Sequence, residues 1–214
     1  MTYSVKDILN IQVAPALGCT EPVAIALGAA AAVALLPEKK IERIEIWVDP
    51  NIYKNGMAVS IPGTGGLSGL DIAAALGALG GDPKRKLEVL EPINDQAVKT
   101  ALALLKAGGV KVNLLRDQAG LYIKTIVTGN GHKAESVIEG LHDNIVALKL
   151  DDKSITASLP TAVADQRKSG QRLVKMEAWL KQRNLDELLN LVDDLDENDL
   201  AFIADGVKVN TALA

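Results

Sequence analysis

Cys19 is the only cysteine in 214 residues. It sits in the string PALGCTEP, residues 15–22, just ahead of an Ala-rich stretch. A thiol at a helix start lies among free backbone N–H groups and at the positive end of the helix dipole, and both favour the thiolate. A thiolate attacks carbon, takes up a proton or ligates iron. The competing reading is a packed small hydrophobe, since free cysteine is among the most buried residue types. Gly18 gives the backbone freedom here, and Thr20 and Glu21 flank the thiol with polar groups, which makes all four candidates for chemistry.

Two further strings carry residues of the right types. SIPGTGG, 60–66, is a Gly-rich loop whose backbone N–H groups, at Thr64 and Gly65 above all, can face a carboxylate or phosphate. It lacks the Lys-Ser/Thr of a P-loop and is not a dinucleotide fingerprint, so a turn requiring positive φ is the alternative. In YKNG, Lys54 is a candidate charge partner for a substrate carboxylate, with Asn55 beside it; equally, Lys54 is a solvated turn lysine. Of the two histidines, His132 in GNGHK reads as an exposed hairpin residue. His142 in GLHDN, next to Asp143 and Asn144, reads as a substrate-orienting group or a turn cap. No His/Cys spacing matches a zinc site, and no G-x-S-x-G elbow is present. The acidic run DDLDEND, 193–199, lacks the EF-hand pattern.

The elements that must position these residues follow from periodicity. Residues 4–13 carry a helical apolar face, stopped by Pro15. Thr20 is the expected N-cap of the next helix, which runs to about Leu36. IERIEIWVD (41–49) and MAVSI (57–61) read as strands, with KNG as the turn between them. A second Ala/Gly helix covers 69–80 and an amphipathic one 92–107, ended by Gly108-Gly109. VKVNLL, LYIKTIVTG, KAESVIEG and NIVALKLDD are consecutive strands whose short connections imply antiparallel neighbours. Helices are expected over 161–183, 185–194 and 197–213. The fold class is α+β: an antiparallel sheet with Ala/Gly-rich helices, then an all-helical C-terminal segment. Pro160 marks the boundary between an α+β domain, 1–159, and a helical segment, 160–214.

Composition narrows the function classes. A net charge of −4 with 23% charged residues and no clustered basic patch argues against a nucleic-acid partner. One cysteine fits a reducing compartment. The N-terminus has no basic-then-apolar leader, and the apolar stretch Val23–Leu36 is shorter than the roughly 20 residues that span a bilayer. A cytoplasmic protein without a membrane partner is the expectation.

PALGCTEP, PNIYKNGMAVSIPGTG, IAAALGALGG and GLHDNIV together, in that order, resemble the N-terminal half of the L-cysteine desulfidase family. That family is related to the iron–sulfur L-serine dehydratases and includes uncharacterised members. The resemblance covers about 10–150, with a weaker helical continuation. It implies a pyridoxal-independent lyase with a 4Fe–4S cluster held by three cysteines, converting L-cysteine to pyruvate, ammonia and sulfide by α,β-elimination. The cysteine matching Cys19 is implicated as a cluster ligand or a catalytic thiolate. Thr20, Glu21 and Lys54 join it as catalytic candidates, and Gly18, Asn55, Thr64, Gly65, His142 and Asn144 as substrate-binding ones. Related dehydratases carry SSSHT at the matching helix start. The family's HTN string departs here to His142-Asp143-Asn144.

One thiol cannot supply a cluster. The chain is therefore expected to be truncated, to work with a C-terminal catalytic domain or separate subunit, or to have lost catalysis, and to bind no cluster alone. A last helix without a stop signal agrees with this. An exposed apolar face on the C-terminal helices, able to drive homodimerisation, is the corollary. The alternatives are a non-catalytic module that binds a small carboxylate and an L-serine dehydratase-like activity.

Overall fold

The string TEPVAIALGAAAAV has no polar face, and a helix apolar all round must be buried. In the computed structural model, which describes residues 2–155 and 172–213, it forms helix α2, Thr20–Val33, buried without a break from Pro22 to Val33. One side packs on helix α4, Leu70–Gly80, and the other on strands of the sheet. Small side chains make this approach possible. At Gly77 of α4 a Cβ would run into the carbonyl of Ala26. At Gly28 it would lie 3.0 Å from Thr125 Oγ1. Ser136 Oγ donates to the Gly28 carbonyl at 2.7 Å, pinning the helix to the sheet.

Six strands form the sheet: β1 Arg43–Val48, β2 Val110–Leu114, β3 Tyr122–Gly129, β4 His132–Glu139, β5 Ile145–Leu150 and β6 Lys153–Ser154. Their spatial order is β2-β1-β3-β4-β5-β6. The α+β class and mostly antiparallel pairing hold, with one correction. β2 and β3 are not neighbours: β1 lies between them, parallel to β2 (Ile44 opposite Val110) and antiparallel to β3 (Ile46 opposite Thr125). Parallel strands need a long crossover, and everything from Asp49 to Gly109 supplies it. β3 alternates buried and half-buried residues, with Ile123, Thr125 and Val127 buried.

The expected hairpin through KNG does not form. PNIYKNG is instead helix α3, Pro50–Gly56. Asp49 caps it and Pro50 occupies its first turn, a helix-start signature that prevails over the turn signal of Asn-Gly. MAVSI is not a strand; its segment makes one isolated bridge, Ser60 to Ser68. The crossover is completed by α4, a 3₁₀ helix over Pro83–Glu88 and helix α5, Asp95–Lys106, capped by Asn94.

The chain divides into two compact units, Pro15–Gly170 and Met1–Ala14 with Gln171–Ala214. The boundary expected at Pro160, and the start of the helix expected over 161–183, lie outside the described residues. In the second unit, helix α1 (Val5–Gln12) has a Ser4/Asp7 capping box. Residues 172–180 form the described part of α6, followed by α7 (Leu185–Leu189), a 3₁₀ helix (Asn190–Asp194) and α8 (Glu197–Leu213). Tyr3 packs against Trp179 in a tilted arrangement with ring centroids 5.4 Å apart, and Arg183 lies over the Trp179 ring. Leu200, Phe202, Ile203, Val207 and Val209 of α8 are exposed. No described helix is long and apolar enough to cross a membrane.

The α2–α4 approach gives a direct test. Gly77→Ala gains about 1 kcal/mol of helix propensity but must force two backbones apart. A net loss of about 2 kcal/mol is expected by urea denaturation. Stability equal to wild type would show that the two helices do not need this approach.

Candidate functional site

Three segments meet at the N-terminal end of α2. The first is GCTEP. Gly18 has φ +79°, and a Cβ there would fall 2.7 Å from Pro62 Cγ, so glycine is required twice over. Cys19, not Thr20, is the N-cap residue, and its side chain makes no cap hydrogen bond. The thiol donates instead to Glu21 Oε2 at 2.8 Å, with the Thr20 hydroxyl 3.4 Å from the same oxygen.

The second segment is the start of α3. Asp49 is 1% exposed. Its Oδ1 accepts from Asn51 N (2.8 Å) and Ile52 N (3.2 Å), and its Oδ2 from Tyr122 N (2.9 Å). One carboxylate thereby fixes α3 to the first residue of β3. One turn on, Asn55 Nδ2 donates to Glu21 Oε1 at 3.1 Å.

The third segment is the β4–β5 turn. Asn144 Nδ2 donates to the Glu139 carbonyl at 2.8 Å. Gly140, at φ +77°, donates from its N–H to the Leu121 carbonyl at 3.1 Å. These bonds present His142 beside Leu121. Glu21, Asp49, Asn51, Ile52, Asn55, Leu121 and His142 line one cavity of 270 Å³.

The electrostatics reverse one expectation. Burial pushes the Cys19 thiol up, and its hydrogen bond to the Glu21 carboxylate and that anion's charge add to the rise. A helix dipole favours the thiolate, but a carboxylate two residues away and lost hydration outweigh it. Cys19 is a thiol that donates. Burial of Glu21 would raise its pKa, but the bonds it accepts from Cys19, its own backbone and Asn55, with the charge of His142, bring it below the ordinary value. Burial lowers His142, against the opposing charges of Glu21, Asp143 and Asp49. At neutral pH the cavity therefore joins an ionised Glu21 to a neutral imidazole.

Of the residues expected from sequence, Glu21, Asn55 and His142 line the cavity, and Cys19 and Thr20 adjoin it through Glu21. The others do not line the cavity. Lys54 is exposed on α3. Thr64 is spent within its own loop, donating to the Ile61 carbonyl at 2.6 Å and accepting from Leu67 N at 3.1 Å. Gly65 has positive φ, as do Gly63 and Gly66, so this stretch is a turn. Asn144 holds its turn from a buried position, and its Oδ1 has no hydrogen-bond partner. His132 pairs with Asp151 at 2.8 Å. Asp49, Asn51, Ile52 and Leu121 were not chosen. The Asp49-Pro50 helix start was the available signal for the first; Leu121 carried none.

A 4Fe–4S cluster does not fit the residues present. The chain offers one thiol, already committed to Glu21. Among the described residues no group of three or more His, Cys, Asp or Glu could hold a metal ion.

Two measurements follow from these environments. Glu21→Gln removes the anion beside the thiol, so Cys19 alkylation by iodoacetamide at pH 7.5 should quicken several-fold; an unchanged rate would mean Glu21 does not hold the thiol protonated. For His142, the folded pKa lies below the ordinary 6.5, so the unfolded chain binds more protons as pH falls from 6.5 toward the folded value. Stability present above pH 6.5 is thus lost through that window. His142→Gln should flatten the decline between pH 7 and 5 in urea denaturation; an identical slope would place His142 in solvent.

No family model matches the chain. It is 54% identical over 215 residues to a UPF0597 protein of Desulfatibacillum aliphaticivorans, covering 100% of this chain and 49% of that protein. A UPF0597 protein of Geobacter sulfurreducens is 39% identical over 209 residues, 97% of this chain and 47% of that protein. UPF0597 protein YhaM of Escherichia coli is 41% identical over 212 residues, 98% of this chain and 47% of that protein. The similarity to the UPF0597 proteins runs through the helical segment as well. The chain spans about half the length of the curated relatives it matches, and over its own length it is similar to proteins named UPF0597.

Proposed function

We propose that this chain contributes the substrate-binding and proton-handling site of a lyase acting on a small amino acid, L-cysteine in the first place and L-serine in the second. The observation that carries the reading is the convergence of Glu21, Asn55 and His142, from three separate segments, on one small polar cavity. Glu21 and Asp49 line it, and among the described residues no lysine or arginine does. That lining suits the ammonium end of an amino acid. It disfavours the alternative of a binding module for simple carboxylates, which would need cationic partners.

The proposed reaction is α,β-elimination. Neutral His142 accepts the α-proton, and a base held neutral at working pH is suited to that task. The C–H electron pair becomes the Cα=Cβ bond, the Cβ–S bond breaks and hydrosulfide leaves. The resulting enamine takes up water to give pyruvate and ammonia. Ionised Glu21 holds the ammonium group, and Cys19 and Asn55, by donating to its two oxygens, fix its orientation. The proposed partner is a further domain or subunit that closes the site over the leaving group. The similarity to L-cysteine desulfidases in PALGCTEP and PGTG supports the substrate class.

The test is to titrate L-cysteine, L-serine and 3-mercaptopropionate, which lacks the amine, into the protein while following its two imidazoles by NMR. The amino acids should shift His142 and leave His132 unmoved, and 3-mercaptopropionate should shift neither. Binding of 3-mercaptopropionate as tight as that of L-cysteine would favour the carboxylate module. No response to any of the three would reject the site.

A further inference from the structure

Asp49 belongs to no motif, yet it is the most enclosed ionisable group in the cavity wall. At 1% exposure a charge is costly unless it is well bonded. Here Oδ1 takes two N–H groups of α3 and Oδ2 takes one from β3. Both oxygens accept backbone N–H groups, the kind of bonding a buried carboxylate needs. The backbone is joined as well, with Asp49 N donating to the Tyr122 carbonyl at 3.1 Å.

Capping alone does not call for a carboxylate. Asparagine and serine cap helix N-termini about as well as aspartate, without burying a charge. What aspartate adds is the second accepting oxygen, which ties α3 to β3, and a fixed negative charge in the wall shared with His142.

We propose that Asp49 is the positioning residue of this cavity: it sets α3 so that Asn55 reaches Glu21, and its buried charge complements the cationic group of the ligand opposite His142. The inference rests on the amino-acid reading of the site. Asp49 spends three of its roughly four acceptor sites on backbone N–H groups, so it acts through Asn55, through Glu21 and through the field on His142. The other charged groups facing that imidazole are Glu21, from the start of α2, and Asp143, from its own turn.

The experiment compares wild type with Asp49→Asn and Asp49→Ser. Three quantities are read: thermal midpoint, the pH titration of His142 with His132 as internal reference, and L-cysteine affinity. Asparagine keeps the cap but loses both the charge and the second accepting oxygen facing Tyr122 N. The expected result is a folded protein whose His142 titrates at lower pH than in wild type, whose His132 is unchanged, and whose L-cysteine affinity falls at least tenfold. A folded Asp49→Asn protein with wild-type His142 titration and affinity would overturn the proposal and leave Asp49 a cap. Should both variants fail to fold, the Asp49 carboxyl carbon resonance of wild type decides. It should move when L-cysteine binds and stay fixed with 3-mercaptopropionate; movement with neither overturns the proposal. If wild type binds no amino acid at all, the site reading fails, while the His142 titration of Asp49→Asn still tests whether this charge reaches the imidazole.

Discussion

Everything in the larger unit depends on enclosing α2. A helix with no polar side must be covered on all sides, and the coverage comes from α4 on one flank and β3 and β4 on the other. Burial to this degree permits no slippage: Gly28 and Gly77 set the distance to each neighbour, and Ser136 fixes the register along the axis. A helix held this firmly ends in a defined place. Its first turn, with Thr20 and Glu21 after the Cys19 cap, is thereby delivered to the end of the central strands where α3 and the β4–β5 turn arrive. The apolar core is what gives the polar site its geometry.

Within that site, charge and hydrogen bonding divide the work. Glu21 gathers donors from its own helix start and from α3. Asp49 gathers backbone donors from α3 and β3. Each carboxylate is held by neutral donors, and among the described residues no lysine or arginine lines the cavity beside them. A cavity built this way leaves negative charge to be answered by whatever enters it, and keeps a neutral imidazole alongside. The thiol that first drew notice serves Glu21 as a hydrogen-bond donor.

Much of the fold was legible because its signals are local. The all-apolar run of α2, the Asn94 cap of α5 and the alternation in β3 each specify their element without reference to the rest. What could not be read were pairings that depend on distant segments. Nothing near Val110 says that its strand will lie beside Ile44, and the insertion of β1 between β2 and β3 is a tertiary outcome. KNG failed for a different reason: two local signals competed, and Asp49-Pro50 won because its cap also satisfied Tyr122 across the fold. The site followed the same rule. Glu21, Asn55 and His142 were found through motif strings, while Asp49 and Leu121 belong to the site only through packing. The state of the thiol was misjudged because a helix start is visible in sequence, and the side-chain direction of a neighbouring glutamate is not.

The place of β1 in the sheet also bears on the order in which the chain assembles. β3, β4 and β5 form a meander joined by short turns, and contacts so close in sequence form early. The β1–β2 pair must wait until the whole stretch from Asp49 to Gly109 is gathered, since loop closure is costly before its contacts form. α2 requires both the meander and α4, which lies inside that stretch. The cavity, whose wall draws on α2, α3 and the β4–β5 turn, needs more than the meander, so a chain with only its meander in place has part of the sheet and no site.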